Sequence, residues 1–250
     1  MKLKILSLNA WLLPARLSLH NGKRLDKIFG LIEELDPDVI MFQEVWDVSY
    51  LSEFHRKLKS YYCMAKPNWL FNEGGLLTFS KYPVIANRLY YFNPTKKYDW
   101  FEKKSKKGFL VTRIEFGDKE VDIVNTHLYA ADNYKTQAHR NILINQYKLL
   151  EAFFEKSNRT TILSGDLNMD YPELNKFRKV FEIPNKKPIP TYLLNNMYSN
   201  RRMNNTKSKA RQLDYFLYIE NGQKIDFKMK VFDKQALSDH HPLYSEVTFS

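Results

Sequence analysis

Apolar residues in this chain recur with two different periods, and each change of period marks a boundary between elements. Leu25, Ile28, Phe29, Ile32 and Leu35 return at helical spacing, and Asp36-Pro37 closes that helix before a strand from Val39 to Phe42. With Met1 to Asn9 as the first strand, the chain opens as strand, helix, strand. A second helix is predicted over Tyr134 to Phe154, where Ile142, Ile144, Tyr147, Leu150 and Phe154 form the apolar face, and it leads into a strand at Thr160 to Leu163. A short third helix follows Pro172 and carries Leu174, Phe177 and Phe181. Between the first two helices the segments Tyr61 to Ala65, Gly75 to Ser80, Val84 to Phe92, Phe109 to Phe116 and Val121 to Asn125 read as strands. Turns at Glu73-Gly74-Gly75, Tyr82-Pro83 and Phe116-Gly117-Asp118-Lys119 separate several of them. Strands dominate and helices intervene at intervals, which predicts two packed sheets with helices outside. No internal repeat or interdomain linker is visible, so a single domain over residues 1–250 is expected. Lys96 to Lys107 and Asn195 to Lys209, both basic and polar, are the least patterned segments.

The same segments carry a second regularity. Six apolar stretches run into a carboxylate, an Asn or a His: Lys4 to Asn9, Val39 to Glu44, Val121 to His127, Thr161 to Asn168, Arg211 to Phe216 and Ala236 to His241. Six such endings can line one cleft. Carboxylates, amides and imidazoles converging on a point are costly unless a metal or a charged substrate compensates them, which suggests metal-assisted chemistry on a phosphate.

Composition narrows the partners. Lys and Arg number 39 against 28 acidic residues, a net charge of +11 that favours nucleic acid, phosphate esters or an anionic membrane surface without choosing among them. Cys63 is the only cysteine, so no intramolecular disulfide forms, and a buried small hydrophobe is its ordinary role. No stretch reaches the roughly 18 apolar residues of a membrane-spanning helix. Met1 to Asn9 lacks a cleavage site and contains the first motif, so it reads as a strand of the mature fold. The compartment stays open: cytoplasmic from the absence of a leader, secreted if a leader was removed or export is leaderless.

Each candidate residue has an ordinary reading beside the chemical one. Asp166 and Asn168 stand two apart, which in extended chain puts both on one face, and Gly165 permits close backbone approach; alone, Gly-Asp-Leu-Asn is commonly a turn. Glu44 at the inner end of a buried strand suits a magnesium ion, or else a salt bridge to one of the many Lys and Arg residues. Asn9 is either a strand-end amide or a neutral oxygen ligand. His240 can accept a proton near neutral pH if a partner fixes its tautomer, and Asp214 is the candidate partner. Asp239 and His240 are adjacent and would face opposite ways in extended chain. A lone His127 is more often a satisfied core or surface histidine.

Taken in order, Asn9, Gln43-Glu44, Thr126-His127, Gly165-Asp166-Leu167-Asn168, Leu213-Asp214-Tyr215 and Ser238-Asp239-His240 resemble the motif series of the endonuclease/exonuclease/phosphatase superfamily across nearly the whole chain. The resemblance implies a DNase I-like four-layer α/β sandwich, two mixed sheets flanked by helices, and metal-dependent phosphoester cleavage. Leu8 to Pro14, Gln43 to Trp46, Gly75 to Val84, Asp99 to Gly108 and Asn125 to Ala130 are further similar to the neutral sphingomyelinase branch. By that resemblance Glu44 holds magnesium, with manganese or another divalent cation possible, and Asn9 lies nearby. Asp166 and Asn168 position water, His240 oriented by Asp214 is the general base, and Asp239 supports the site. His127 stabilises charge on phosphoryl oxygens, and Lys107 contacts the phosphate from a mobile loop together with Asp99.

The chain also departs from that branch. Secreted bacterial sphingomyelinases commonly carry a leader, a disulfide and an apolar hairpin before Ser-Asp-His, whereas Ile219 to Asp226 here is a polar turn. Trp11-Leu12-Leu13, Trp69-Leu70-Phe71 and Trp100-Phe101 are the remaining candidates for membrane contact. The expected activity is therefore hydrolysis of a phospholipid headgroup ester, foremost sphingomyelin to ceramide and phosphocholine. A nuclease of the same fold is the first rival, favoured by the net charge and by Arg201-Arg202 to Arg211. A phosphoinositide phosphatase and a non-catalytic membrane or nucleic-acid binding protein follow.

Overall fold

The computed structural model describes the chain except residues 15–16, 94–97, 99, 132–135, 193–195, 199–209 and 234 and the side chain of Phe101. Lys96, Asp99, Tyr134, Asn195, Arg201 and Arg202, all named above, lie outside the described residues. In chain order the strands are β1 (Lys2–Leu12), β2 (Val39–Val45), β3 (Tyr62–Met64), β4 (Leu77–Ser80), β5 (Val84–Tyr91), β6 (Gly108–Phe116), β7 (Lys119–His127), β8 (Thr161–Asp166), β9 (Asp214–Ile219), β10 (Ile225–Val231) and β11 (Leu243–Phe249). The helices are α1 (Asn21–Leu35), α2 (Ser49–Lys57), α3 (Trp100–Ser105), α4 (Gln137–Phe154) and α5 (Tyr171–Phe177).

Two mixed sheets result, ordered β10-β11-β1-β2-β4-β3 and β5-β6-β7-β8-β9. Each contains one parallel pair, β1 with β2 and β7 with β8, and in each the crossover carries a helix, α1 or α4. The face of α1 read from the sequence is the buried one, with Leu25, Ile28, Phe29 and Ile32 turned inward. Asp36 ends the helix in the left-handed region at φ 43°, its N–H donating to the Ile32 carbonyl. Thr136 caps α4 by accepting a hydrogen bond from the His139 N–H.

Three apolar layers follow. Leu25, Phe29, Phe42, Phe54 and Phe79 pack α1 and α2 on the outside of the first sheet; Leu143, Tyr147, Leu150 and Leu163 pack α4 on the outside of the second. Between the sheets lie Leu3, Ile5, Val39 and Met41 against Ile114, Ile123, Ile162 and Phe216. Each aliphatic side chain buried this fully stabilises the fold by about 1.5–3 kcal/mol. The four-layer α/β sandwich expected from the sequence is the fold found.

The middle layer is apolar at one end and polar at the other. Gln43 donates to Asn125 Oδ1 at 2.8 Å, and Asn125 donates to the carbonyls of Phe42 and Leu77 at 3.0 and 3.2 Å, so buried amides tie the sheets together. Beyond this seam, toward the C-terminal ends of the two parallel pairs, lie the residues singled out for chemistry. The polar turn at Ile219 to Asp226 carries the chain from β9 in one sheet to β10 in the other.

Candidate active site

Register across the second sheet places three candidates side by side: His127 pairs with Asp166, and Asp166 with Asp214. Asp214 begins its strand rather than ending it, and because β9 runs antiparallel to β8 that start lies at the same edge. In the first sheet Asn9 stands opposite Gln43, one residue before Glu44. Asn9 closes the gap, its Nδ2 donating to Asp166 Oδ2 at 3.0 Å and to Glu44 Oε1 at 3.1 Å. Its Oδ1 accepts the Trp11 N–H at 3.2 Å, which fixes the amide orientation. Asn9 thus turns its nitrogen, not the expected oxygen, toward the two carboxylates, and positions them.

His240 does not follow a strand. It sits in the loop before β11, held by a bridge to Tyr192, whose ring lies 5.0 Å from the imidazole. Its Nδ1 is 2.8 Å from Asp214 Oδ2, and its Nε2 is 3.6 Å from Asp166 Oδ2. An Nδ1 proton directed at Asp214 leaves Nε2 as the working nitrogen. Burial opposes charge on His240, but Asp214 and Asp166 outweigh it and raise its pKa well above 6.5. Asp166 is itself pushed up to about 7, by burial first; His240 pulls it down and Asp214 pushes it up, while Asn9 and the Asn168 N–H favour the anion.

Asp166 and Asn168 share a site by a different route from the one expected. The backbone is not extended there: Asn168 has φ 51°, and its N–H donates to Asp166 Oδ1 at 2.9 Å. Gly165 is required at this corner, since a Cβ would stand 1.9 Å from the Thr126 carbonyl oxygen. Trp11, Glu44 and Lys106 also adopt left-handed φ, at 47°, 56° and 50°, so strained backbone gathers around the site.

Lys107 stands in the short connection between α3 and β6 and is buried, its Nζ 3.3 Å from Glu102 Oε1, 3.0 Å from the Leu128 carbonyl and 3.2 Å from His127 Nε2. An ammonium has no lone pair, so His127 Nε2 accepts and the ring proton is on Nδ1. The Lys107 ammonium thus reaches His127 Nε2, which itself stands 3.6 Å from Asp166 Oδ2.

Asp239 accepts from Ser238 Oγ at 3.0 Å, and its charge acts on Arg24. Arg24 is fully buried and donates to the carbonyls of Ala10, Trp11, Leu19 and Leu237 at 2.6, 2.8, 2.8 and 3.1 Å, fastening β1 to the loop that carries Asp239. Sequence reasoning missed Arg24, because its position on the apolar face of α1 was the sole signal. It also missed Thr191, whose hydroxyl accepts from the N–H groups of Leu213 and Asp214 at 3.1 Å each and whose carbonyl accepts from His241 N–H at 2.7 Å.

The donors present fit a divalent cation. Among the described residues Glu44 makes no ion pair and Asp214 Oδ1 is buried without a hydrogen-bond partner. Glu44 and Asp166 share one neutral amide, so their charge is uncompensated on that side. Asp166, Asp214 and His240 present ligand atoms within 4.8 Å of one another. Since His240 and Asp214 already engage each other, Asp166 is the member of the trio whose carboxylate remains to face a cation.

A two-sheet sandwich with an Asp-His pair and clustered carboxylates at one edge defines a class of phosphoester-cleaving folds. The chain belongs to the Endonuclease/Exonuclease/phosphatase family, whose model matches residues 6–218. It is similar to a phospholipase C of Staphylococcus aureus, 28% identical over 192 residues covering 67% of this chain and 57% of the relative. It is also similar to human sphingomyelin phosphodiesterase 2, 28% identical over 186 residues covering 69% of this chain and 42% of the relative. The chain spans about half the length of the curated relatives it matches. Among solved structures, SmcL superposes with a TM-score of 0.77 at 19% identity, covering 99% of both chains. TDP2 of D. rerio complexed with a single-strand DNA product also gives 0.77, at 13% identity and the same coverage. A beta toxin variant of Staphylococcus aureus with bound magnesium ions gives 0.75, at 22% identity over 98% of this chain and 99% of that one.

Proposed function

We propose that this chain is a divalent-metal phosphodiesterase that hydrolyses a phospholipid headgroup ester, with sphingomyelin the foremost substrate. The observation that carries the reading is the Asp214-His240 pair at 2.8 Å, whose outward nitrogen faces Asp166 across a space that Asn9 and Glu44 also border. Asp214 holds the imidazole in the tautomer that accepts a proton at Nε2, where an attacking water is deprotonated. Asp166 and Asn168 orient that water, and the Lys107 ammonium, braced by His127, faces charge that builds on phosphoryl oxygens. A magnesium or similar ion held by Glu44 with Asp166 would supply further positive charge for those oxygens and for the carboxylates themselves.

The choice of lipid over nucleic acid follows the curated relatives, a phospholipase C and sphingomyelin phosphodiesterases. Arg211, counted toward a nucleic-acid surface above, is paired with Asp170 at 2.7 and 2.9 Å. The test is a parallel assay of sphingomyelin, phosphatidylcholine and plasmid DNA with magnesium, with chelator, and with the His240→Asn variant. Phosphocholine release that requires magnesium and His240, without DNA nicking, is expected. DNA nicking without lipid turnover overturns the lipid reading, and turnover undiminished in His240→Asn overturns the assignment of the base.

A further inference from the structure

Of the chain's 4 tryptophans, Trp11 and Trp46 are buried, whereas Trp69 is 90% exposed and Trp100 72%. Trp11-Leu12-Leu13, one of the sequence candidates for membrane contact, is core. Beside Trp69 lies Leu70, 60% exposed. Indoles and a leucine left this open to water are costly in an isolated soluble surface.

The surroundings of these side chains are basic. Trp69 and Leu70 line one shallow depression with Lys103, Lys104 and Lys106. Trp100, Lys103 and Lys104 stand three and four apart on the short helix α3, so they share a face. Lys106 pairs with Glu73 at 2.6 Å; among the described residues Lys103 and Lys104 have no carboxylate partner, and their charge is available outward.

The patch is tied to the site through the backbone on both sides. Lys106 adjoins Lys107. The Trp69 loop is anchored by Asn72, which donates through Nδ2 to the Val45 carbonyl at 3.0 Å and through its N–H to the Trp46 carbonyl at 2.9 Å, immediately after Glu44. Both connections thus run from the patch directly into segments that carry site residues.

We propose that Trp69, Leu70 and Trp100, with Lys103 and Lys104, form a docking surface for an anionic phospholipid bilayer and set the site mouth against it. The choice of a bilayer rests on the lipid reading above and on the chemistry of the patch. Indole and leucine enter the interfacial layer, while lysines remain at anionic headgroups. A single-stranded nucleic acid would use aromatic faces for stacking and gain nothing from Leu70.

The experiment uses the full chain and vesicles that contain no sphingomyelin, so binding is read apart from turnover. Wild-type protein should sediment with phosphatidylcholine vesicles containing phosphatidylserine, and should release them as salt rises. Lys103→Gln with Lys104→Gln should lower the partition coefficient about 30-fold, at about fivefold per lysine, and flatten its salt dependence. Trp69→Ala with Leu70→Ala should lower it at least about tenfold. Vesicle binding should shift tryptophan emission to the blue, and Trp69→Phe with Trp100→Phe should abolish that shift because Trp11 and Trp46 are already buried. Turnover of a monomeric, water-soluble phosphodiester should be unchanged in the docking variants, which separates docking from the site. Equal sedimentation of wild type and variants overturns the proposal. Loss of single-stranded DNA retention with unchanged vesicle binding also overturns it, in favour of a nucleic-acid surface. Failure of sphingomyelin hydrolysis with intact vesicle partitioning would instead overturn the substrate reading alone.

Discussion

Raising the pH of metal-free protein should weaken it through one buried carboxyl. Asp166 has an ordinary value of 3.8 and is pushed up to about 7 in the fold, by burial above all. In the unfolded chain the group loses its proton near 4; in the folded chain it holds the proton until about pH 7. Folding is therefore favoured by this group at low pH, and the contribution is lost as pH rises through that window. Integrated between pH 5 and pH 8 the loss is about 3 kcal/mol, on the order of a 1 M fall in urea midpoint. His240 acts in the same direction: its pKa is raised in the fold, so its contribution is full below about 6.5 and lost as pH climbs through the raised value. His241, lowered by burial, opposes both below about 6.5, so the useful quantity is the difference between wild type and Asp166→Asn. The assay is urea denaturation in chelator at pH 5, 6.5 and 8, repeated with magnesium at pH 8. Wild type should lose midpoint with pH, Asp166→Asn should lose much less, and magnesium should restore wild type by binding the ionised carboxylates. A wild-type midpoint that is flat or rising, or an equal fall in Asp166→Asn, would refute the reasoning.

Three further outcomes are expected. Asp214→Asn should fold but lose about 10²–10⁴ in kcat, read in steady-state kinetics, because the imidazole loses both its orienting acceptor and the charge that makes it basic. Gly165→Ala should destabilise by more than about 3 kcal/mol, or prevent folding, because its Cβ meets the Thr126 carbonyl at 1.9 Å; circular dichroism melting measures this. The Cys63 thiol, pushed up to about 12 by burial, should resist iodoacetamide at pH 8 in native protein and react once urea is added.

Much of this molecule could be read before its structure was available, and the omissions share a cause. The apolar face of α1, the span of α4 and the order of site residues follow from local spacing, which periodicity reports well. α2 was missed because it buries only Leu51 and Phe54, too little pattern to separate from a loop. α3 falls in a basic segment whose composition argued for solvent. The burial of Lys107 is not legible in the sequence, because a lysine is rarely buried; the carboxylate, carbonyl and imidazole that satisfy it come from Glu102, Leu128 and His127, and only tertiary structure brings them together. Asn168 was expected in extended chain, and its left-handed backbone is visible only once Gly165 turns the corner.

The amide seam of Gln43 and Asn125 has a further consequence. Half the site rides on one sheet and half on the other, so sliding the layers by a single residue would separate Asn9 from Asp166 and silence the chemistry. Greasy surfaces alone permit such slippage, whereas these paired amides accept one alignment only. Repacking the oily layer with differently shaped aliphatics should thus be forgiven by function, while conservative trimming of either amide should not.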